Sequence, residues 1–367
     1  MKKPVHTLMD MMPTGLLLCL LCLLLTDSET AMNGVRKGLS LVLETLIPSL
    51  FPFLVLSELV VRFRVGERIA VPLSRPLRRM FGTTRAGSVA IVIGFLCGMP
   101  VGSAAARTLY EQGKIGKREL QRILLFANIP GSGFLIGGVG SALFGDARAG
   151  IALFCIIAST SIFAGILLHL LGGSLPEMSN IPLYVTKNSQ SLTDFTNGVS
   201  RALQNLLQVI AFVLFFSCLS ECLSELAEAL SPPTVIRVIL CGILEMTSGI
   251  STAVTSLPVG TAFCVCAFLA GFSGISVFFQ IFSILEKENP PISPYLLSKL
   301  LQGGFSALLA KLYLRLARPS FLEGISVFGD SFKEHVGSLP LPCGALLPLL
   351  LLLLATALLF AFKKAKA

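Results

Sequence analysis

Apolar residues in this chain run on for the length of a membrane crossing, and polar residues gather in short connections between the runs. Neither the alternation of a half-buried strand nor the narrow stripe of a surface helix is sustained. Most runs are about 20 residues with few charges, which matches the ~30 Å hydrocarbon of a bilayer. They lie near Gly38–Val61, Ala86–Ala106, Gly131–Phe144, Ala149–Leu171, Ala202–Leu223, Val235–Val254, Val259–Leu285, Pro294–Leu316 and Leu341–Phe362. A shorter run, Leu16–Leu25, follows Lys2 and Lys3. No small-x-small cleavage pattern comes after it, since Thr26-Asp27-Ser28-Glu29 is polar, so a retained first helix is expected. Lys117–Phe126 reads differently, as a short amphipathic helix leading to Asn128.

Two of the apolar segments are broken at their centres by glycine, proline and small hydroxyl residues. The first reads Gly94-Phe-Leu-Cys-Gly98-Met-Pro100-Val-Gly102-Ser103, with Asn128-Ile-Pro130-Gly131-Ser132-Gly133 downstream. The second reads Gly242-Ile-Leu-Glu245-Met-Thr247-Ser248-Gly249, with Gly271-Phe-Ser273-Gly274-Ile-Ser276 downstream. Backbone can leave the helix at membrane depth only where protein or a water-filled cavity satisfies its polar groups. Paired interruptions at corresponding places in two halves point to the substrate site of a secondary transporter. With one deletion, Gly94 to Gly102 lies over Gly242 to Gly249, and Ser132-Gly133 lies over Ser273-Gly274. Pro48 and Pro52 add a further kink or break in the second segment, because each removes a donor and clashes with the preceding turn.

Charge sets the expected orientation. Residues 62–85 hold seven arginines against Glu67 alone, and 107–122 is again basic, so both loops should face the cytoplasm. The segment between them, Ala86–Ala106, then enters and leaves on one side as a re-entrant hairpin with Gly98-Met-Pro100 at its tip. Parity requires a second re-entrant segment, either Val235–Val254 from the outer face or Val259–Leu285 from inside. The internal repeat favours Val235–Val254. The expected fold is all-α: a polytopic membrane protein with two inverted repeats, each holding a re-entrant hairpin and a broken transmembrane helix. Its divisions are a signal-anchor-like region (1–37), a first repeat (38–171), a polar loop (172–199), a second repeat (200–320), and a loop with a last helix (321–367).

Composition agrees and excludes several classes. The 367 residues are 54% hydrophobic and 13% charged, with a mean hydropathy of +0.82, whereas a soluble domain carries about 25% charged residues. The net charge of +9 is spent on loops rather than on a nucleic-acid patch, so no nucleic acid is expected as a partner. Most cysteines, such as Cys97 and Cys266, sit in apolar segments. The Cys19–Cys22 pair has no basic neighbour to activate it. Three distant histidines spell out no metal site. There is no Walker A loop, nucleophile–base pair or H-E-x-x-H motif. Neither a cofactor nor an enzymatic activity is expected.

The candidate binding residues follow from the breaks. A half-helix ending in mid-membrane aims unpaired N–H groups and its positive dipole end at the gap. Gly98, Gly102, Gly131, Gly249 and Gly274 leave that approach open. Ser103, Asn128, Ser132, Thr247, Ser248, Ser273, Ser276 and Gln280 offer neutral donors and acceptors. Small-residue helix contacts are the ordinary alternative for the glycines. Glu245 lies deep in an apolar run, where an ionised carboxylate costs ~2.5–3.5 kcal/mol unless paired. It is a candidate to bind a coupling H+ or Na+, to bond the substrate when protonated, or to pair with Lys299 or Lys311. Lys299 could place one positive charge in a cavity or reach toward an interface. Glu58 reads as interfacial beside the basic loop. The site suits a small polar or anionic molecule.

The same stretches resemble a known family. Ile47-Pro-Ser-Leu-Phe-Pro-Phe, Gly94-Phe-Leu-Cys-Gly-Met-Pro-Val-Gly, Glu111-Gln-Gly-Lys-Ile, Leu244-Glu-Met-Thr-Ser-Gly-Ile and Gly271-Phe-Ser-Gly-Ile-Ser-Val-Phe-Phe-Gln look like the YlbJ (SpoVV) family of sporulation integral membrane proteins, over about residues 35–320. That family contains the nucleoside-recognition Gate domain shared with concentrative nucleoside transporters. The resemblance implies two inverted repeats with helical hairpins and transport of dipicolinic acid. The movement would run from the mother cell across the outer forespore membrane during sporulation. The matching positions are Gly98, Pro100, Gly102, Asn128, Glu245, Gly249, Gly274, Ser276 and Gln280. Ser248 departs from the pattern, standing where an asparagine is expected. The alternatives are a transporter of nucleosides or other polar solutes, and a non-transporting spore-envelope assembly protein. Membrane lipid is the expected surroundings, and assembly as a homo-oligomer stays open.

Overall fold

The computed structural model describes residues 27–173, 192–228, 232–285 and 291–317, apart from Arg64, with a few isolated positions outside these ranges. The Leu16–Leu25 run, most of the 172–199 loop and the Leu341–Phe362 segment lie outside the described residues. Every described element is a helix. Four stretches are long and apolar enough to cross a membrane: Ser28–Arg62, Ala147–Gly172, Leu192–Glu225 and Val259–Leu285. Large apolar side chains on these and neighbouring helices stand exposed, among them Leu43, Leu207, Leu300 and Leu308. In water so many would be an aggregation hazard; against lipid tails they are the natural outer surface. The protein is an integral membrane protein.

In chain order, α1 (Ser28–Leu41) continues through a π-helical turn (Val42–Leu46) into α2 (Ile47–Arg62). Where a kink or break was expected at Pro48 and Pro52, the helix widens into this turn just before Pro48, which takes up the Glu44 carbonyl that Pro48 would otherwise strike, and Pro52 lies inside α2. Then come α3 (Val65–Phe81), bent by 97° from α4 (Arg85–Cys97), and α5 (Val101–Glu111). Next are α6 (Lys117–Phe126), α7 (Gly133–Leu143, wound as a π-helix) and α8 (Ala147–Gly172). The second half holds α9 (Leu192–Glu228), α10 (Thr234–Leu244), α11 (Met246–Ser256), α12 (Val259–Phe272), α13 (Gly274–Leu285) and α14 (Ile292–Ala317). At 37 residues α9 overruns its apolar window at both ends and begins inside the loop expected at 172–199.

The element order repeats. In each half a pair of short helices (α4/α5, α10/α11) meets at a break, a further pair (α6/α7, α12/α13) meets at a second break, and a 26-residue helix follows (α8, α14). Within each first pair the chain folds back on itself. A Cβ on Gly102 would come within 2.6 Å of Gly94 Cα, and one on Gly249 within 2.2 Å of Gly242 Cα. The four glycines let the paired backbones touch. Each first break also rests on the second: the Met99 N–H donates to the Ile129 carbonyl at 3.0 Å, and Gly274 lies against Met246.

Candidate functional site

Four of the places where the chain leaves the helix lie within the two apolar halves at the sequence breaks. Gly98 ends α4 with φ +71° and ψ −170°, a conformation that essentially only glycine adopts without strain. Residues 127–132 separate α6 from α7. Glu245, extended at φ −135° and ψ 108°, separates α10 from α11. Ser273, left-handed at φ 75°, separates α12 from α13.

Each break strands backbone groups, and their partners can be traced. Glu245 ends α10 and starts α11: its N–H donates to Cys241, and its carboxylate accepts from the Ser248 N–H at 2.5 Å. A carboxylate at a helix N-terminus is favoured by the dipole and by the charged hydrogen bond. Glu245 therefore holds its position without a salt bridge, and the pairing with Lys299 or Lys311 is not formed. The Ser248 hydroxyl also meets that of Ser217 at 2.6 Å.

At the end of α6 the stranded carbonyls are met by side chains from α8 and α14. Ser161 donates to Phe126, Gln302 to Leu125 at 2.7 Å, Ser298 to Leu125 at 3.0 Å, and Lys299 Nζ to Asn128. Lys299, 1% exposed, thus neither reaches an interface nor enters a cavity; it serves as a cation at a helix C-terminus, where the negative dipole end suits it. Ser103 donates to Asn128 Oδ1 at 3.1 Å, and Asn128 Nδ2 to the Tyr295 hydroxyl at 3.3 Å. Glu58, expected beside the basic loop, is buried and accepts from Asn205 Nδ2 at 2.8 Å.

The breaks surround one cavity, partly open, enclosing about 680 Å³ including its mouth. Of the residues singled out in the sequence, Glu245, Thr247, Gln280, Gly131 and Ser132 line it. Gly98, Pro100, Gly102, Ser103, Asn128, Ser248, Gly249, Ser273, Gly274, Ser276 and Lys299 do not. Gly98 and Gly274 shape the breaks, Gly102 and Gly249 join the hairpins, and Ser103, Asn128 and Lys299 form a buried network behind the first break. The Ser273 hydroxyl turns back to the Ala270 carbonyl. Ser276 is fully buried with no partner for its hydroxyl among the described residues.

Sequence reasoning missed the apolar wall. Leu46, Leu50, Phe53, Met99, Met246 and Val213 face the cavity. The proline-rich motif Ile47–Phe53 was the signal available for some of it. Gly133 touches Phe53, to whose ring a Cβ would come within 2.4 Å, so the first turn of α7 fits against that wall. Among the described residues no cluster of acidic, histidine or cysteine side chains could hold a metal ion.

Comparison with known proteins finds a similarity. The chain is 25% identical over 320 residues, 78% of each chain, to the sporulation integral membrane protein YlbJ of Bacillus subtilis (strain 168). No family model matches the chain, and no solved structure matches it.

Proposed function

We propose that this protein is a membrane transporter of a small anionic metabolite, with dipicolinic acid, moved across the outer forespore membrane during sporulation, as its first candidate. The observation that carries this is the cavity at which the breaks of both halves of the chain converge. Unwound backbone is costly in lipid and persists where it lines a path for a solute. The two folded-back pairs, α4/α5 and α10/α11, are re-entrant hairpins in this scheme, and the two halves are inverted repeats related by the Gate-type arrangement. Alternating exposure of the cavity would come from one half moving against the other. The mostly apolar walls suit an aromatic ring, and the amides at the start of α7 suit a carboxylate.

A neutral polar solute such as a nucleoside is the second reading, favoured by the carboxylate of Glu245 in the lining. Flux in proteoliposomes separates the two. Dipicolinate uptake well above that of empty vesicles is expected; uridine uptake without dipicolinate uptake would replace the first reading by the second. Loss of spore dipicolinate in cells lacking the protein, restored by the wild type, is the companion result in vivo.

A further inference from the structure

The cavity is chemically asymmetric. On one side α7 starts at Ser132, whose side chain makes no cap bond; the Leu135 N–H is met by the Gly131 carbonyl at 3.1 Å, and no side chain caps the N–H groups of Gly133 and Phe134. Gln280, 5% exposed, lines the same cavity, and its side-chain amide has no partner among the described residues. Its amide faces the cavity and offers a guest both donors and an acceptor. On the other side stands Glu245, acceptor-only when ionised. Among the described residues no lysine or arginine lines the cavity; Lys299 is spent on the Asn128 carbonyl.

A fully ionised dicarboxylate would meet donors at one end and a like charge at the other. Resting on the transport function proposed above, we propose that the cavity takes its guest as a half-protonated acid, with one carboxylate on the α7 amides and Gln280 and one O–H donated to Glu245. One proton then enters with each guest. It comes from bulk water and is shared between a Glu245 oxygen and the guest's second carboxyl group. No bond to carbon is made or broken, and the carried species is one charge less negative than the free dianion.

The other groups around Glu245 leave it as the proton's site. The Cys97 thiol is the other titratable side chain in the described lining. From α12, the Cys266 thiol faces the Ile250 carbonyl. From α9, Ser217 meets Ser248. From α13 and α7 come Gln280 and Ser132, both neutral.

The test is calorimetry on the purified full chain, titrated with dipicolinate near neutral pH in buffers of low and high ionisation enthalpy. The expected result is uptake of one proton per bound guest, with affinity falling about tenfold for each pH unit above neutrality, the mass-action slope of one proton. Glu245→Gln, which removes the like charge, should take up no proton and lose the pH slope. Gln280→Leu should weaken binding about tenfold or more while still taking up one proton. Dipicolinate binding without proton uptake overturns the proposal and leaves the transport reading standing. No dipicolinate binding by the folded protein overturns dipicolinate as the guest, and with it the transport reading's first candidate. A requirement for Na+ in place of the proton also overturns it, as does an unchanged pH slope in Glu245→Gln.

Discussion

Gly98 is where the first break is pressed against the second, and its replacement by alanine separates two costs that usually come together. At φ +71° and ψ −170° an alanine is strained by about 1–3 kcal/mol whatever the space around it. Its Cβ would also lie 2.3 Å from Gly131 Cα and 2.4 Å from Gly131 N, so the hairpin tip must retreat by about 1 Å or more for ordinary contact. Forcing a methyl into a packed site costs about 1–3 kcal/mol more. Two other glycines isolate these terms. Gly113, at φ +68° with nothing within 4 Å, tests strain alone, at about 1–2 kcal/mol. Gly102, helical, with Gly94 Cα at 2.6 Å, tests crowding alone. The assay is thermal unfolding of the three purified variants in one detergent, with membrane accumulation measured in parallel. Gly98→Ala should lose about as much as the other two combined, roughly 2–6 kcal/mol by the same estimates. A Gly98→Ala protein as stable as Gly113→Ala would show that the tip does not rest on Gly131.

Three further outcomes are expected. In a variant whose only cysteine is Cys97, a small thiol reagent should label the cavity, and bound substrate should slow labelling; a variant retaining only Cys266, fully buried, should stay unlabelled. Tyr295→Phe leaves the Asn128 amide without its partner and should cost about 1–3 kcal/mol of thermal stability, read as a lower melting temperature. Gly249→Leu should abolish accumulation of folded protein, since even a Cβ meets Gly242 Cα at 2.2 Å, whereas Gly304→Leu, with open space around it, should accumulate normally.

Much of the fold could be read in the residues because lipid removes choices. A buried backbone group must be bonded within its helix or at a site, so glycine and proline inside an apolar run announce a departure from the helix. That logic located the breaks at Gly98, at 127–132, at Glu245 and at Ser273, and it placed α6 at Lys117–Phe126. It did not tell which side of each break would carry the bonding burden. Lys299 read as a cavity charge or as a side chain reaching an interface because its partner, the Asn128 carbonyl, is 171 residues away and is a backbone atom that no side-chain pattern encodes. The π-helical turn before Pro48 was likewise hidden: a proline states that a carbonyl loses its donor, not whether the helix will bend, break or widen.

The glycines divide the same way, and for a physical reason that bears on function. Gly94, Gly102, Gly242 and Gly249 let helices touch along their length, which is a packing role any membrane protein uses. Gly98 and Gly274 hold positive φ at the breaks, which packing alone does not demand. A chain that needed only close helices could have kept them straight. That this one folds back at Gly98 and Glu245, then leaves the helix again beside each fold, costs stranded amides and carbonyls. Side chains answer the carbonyls at the end of α6. Glu245 answers the amides at the start of α11. The first turn of α7, like that of several other helices here, has no side-chain cap, but it starts at residues on the wall of the cavity between the two halves, where a guest's carboxylate could meet it.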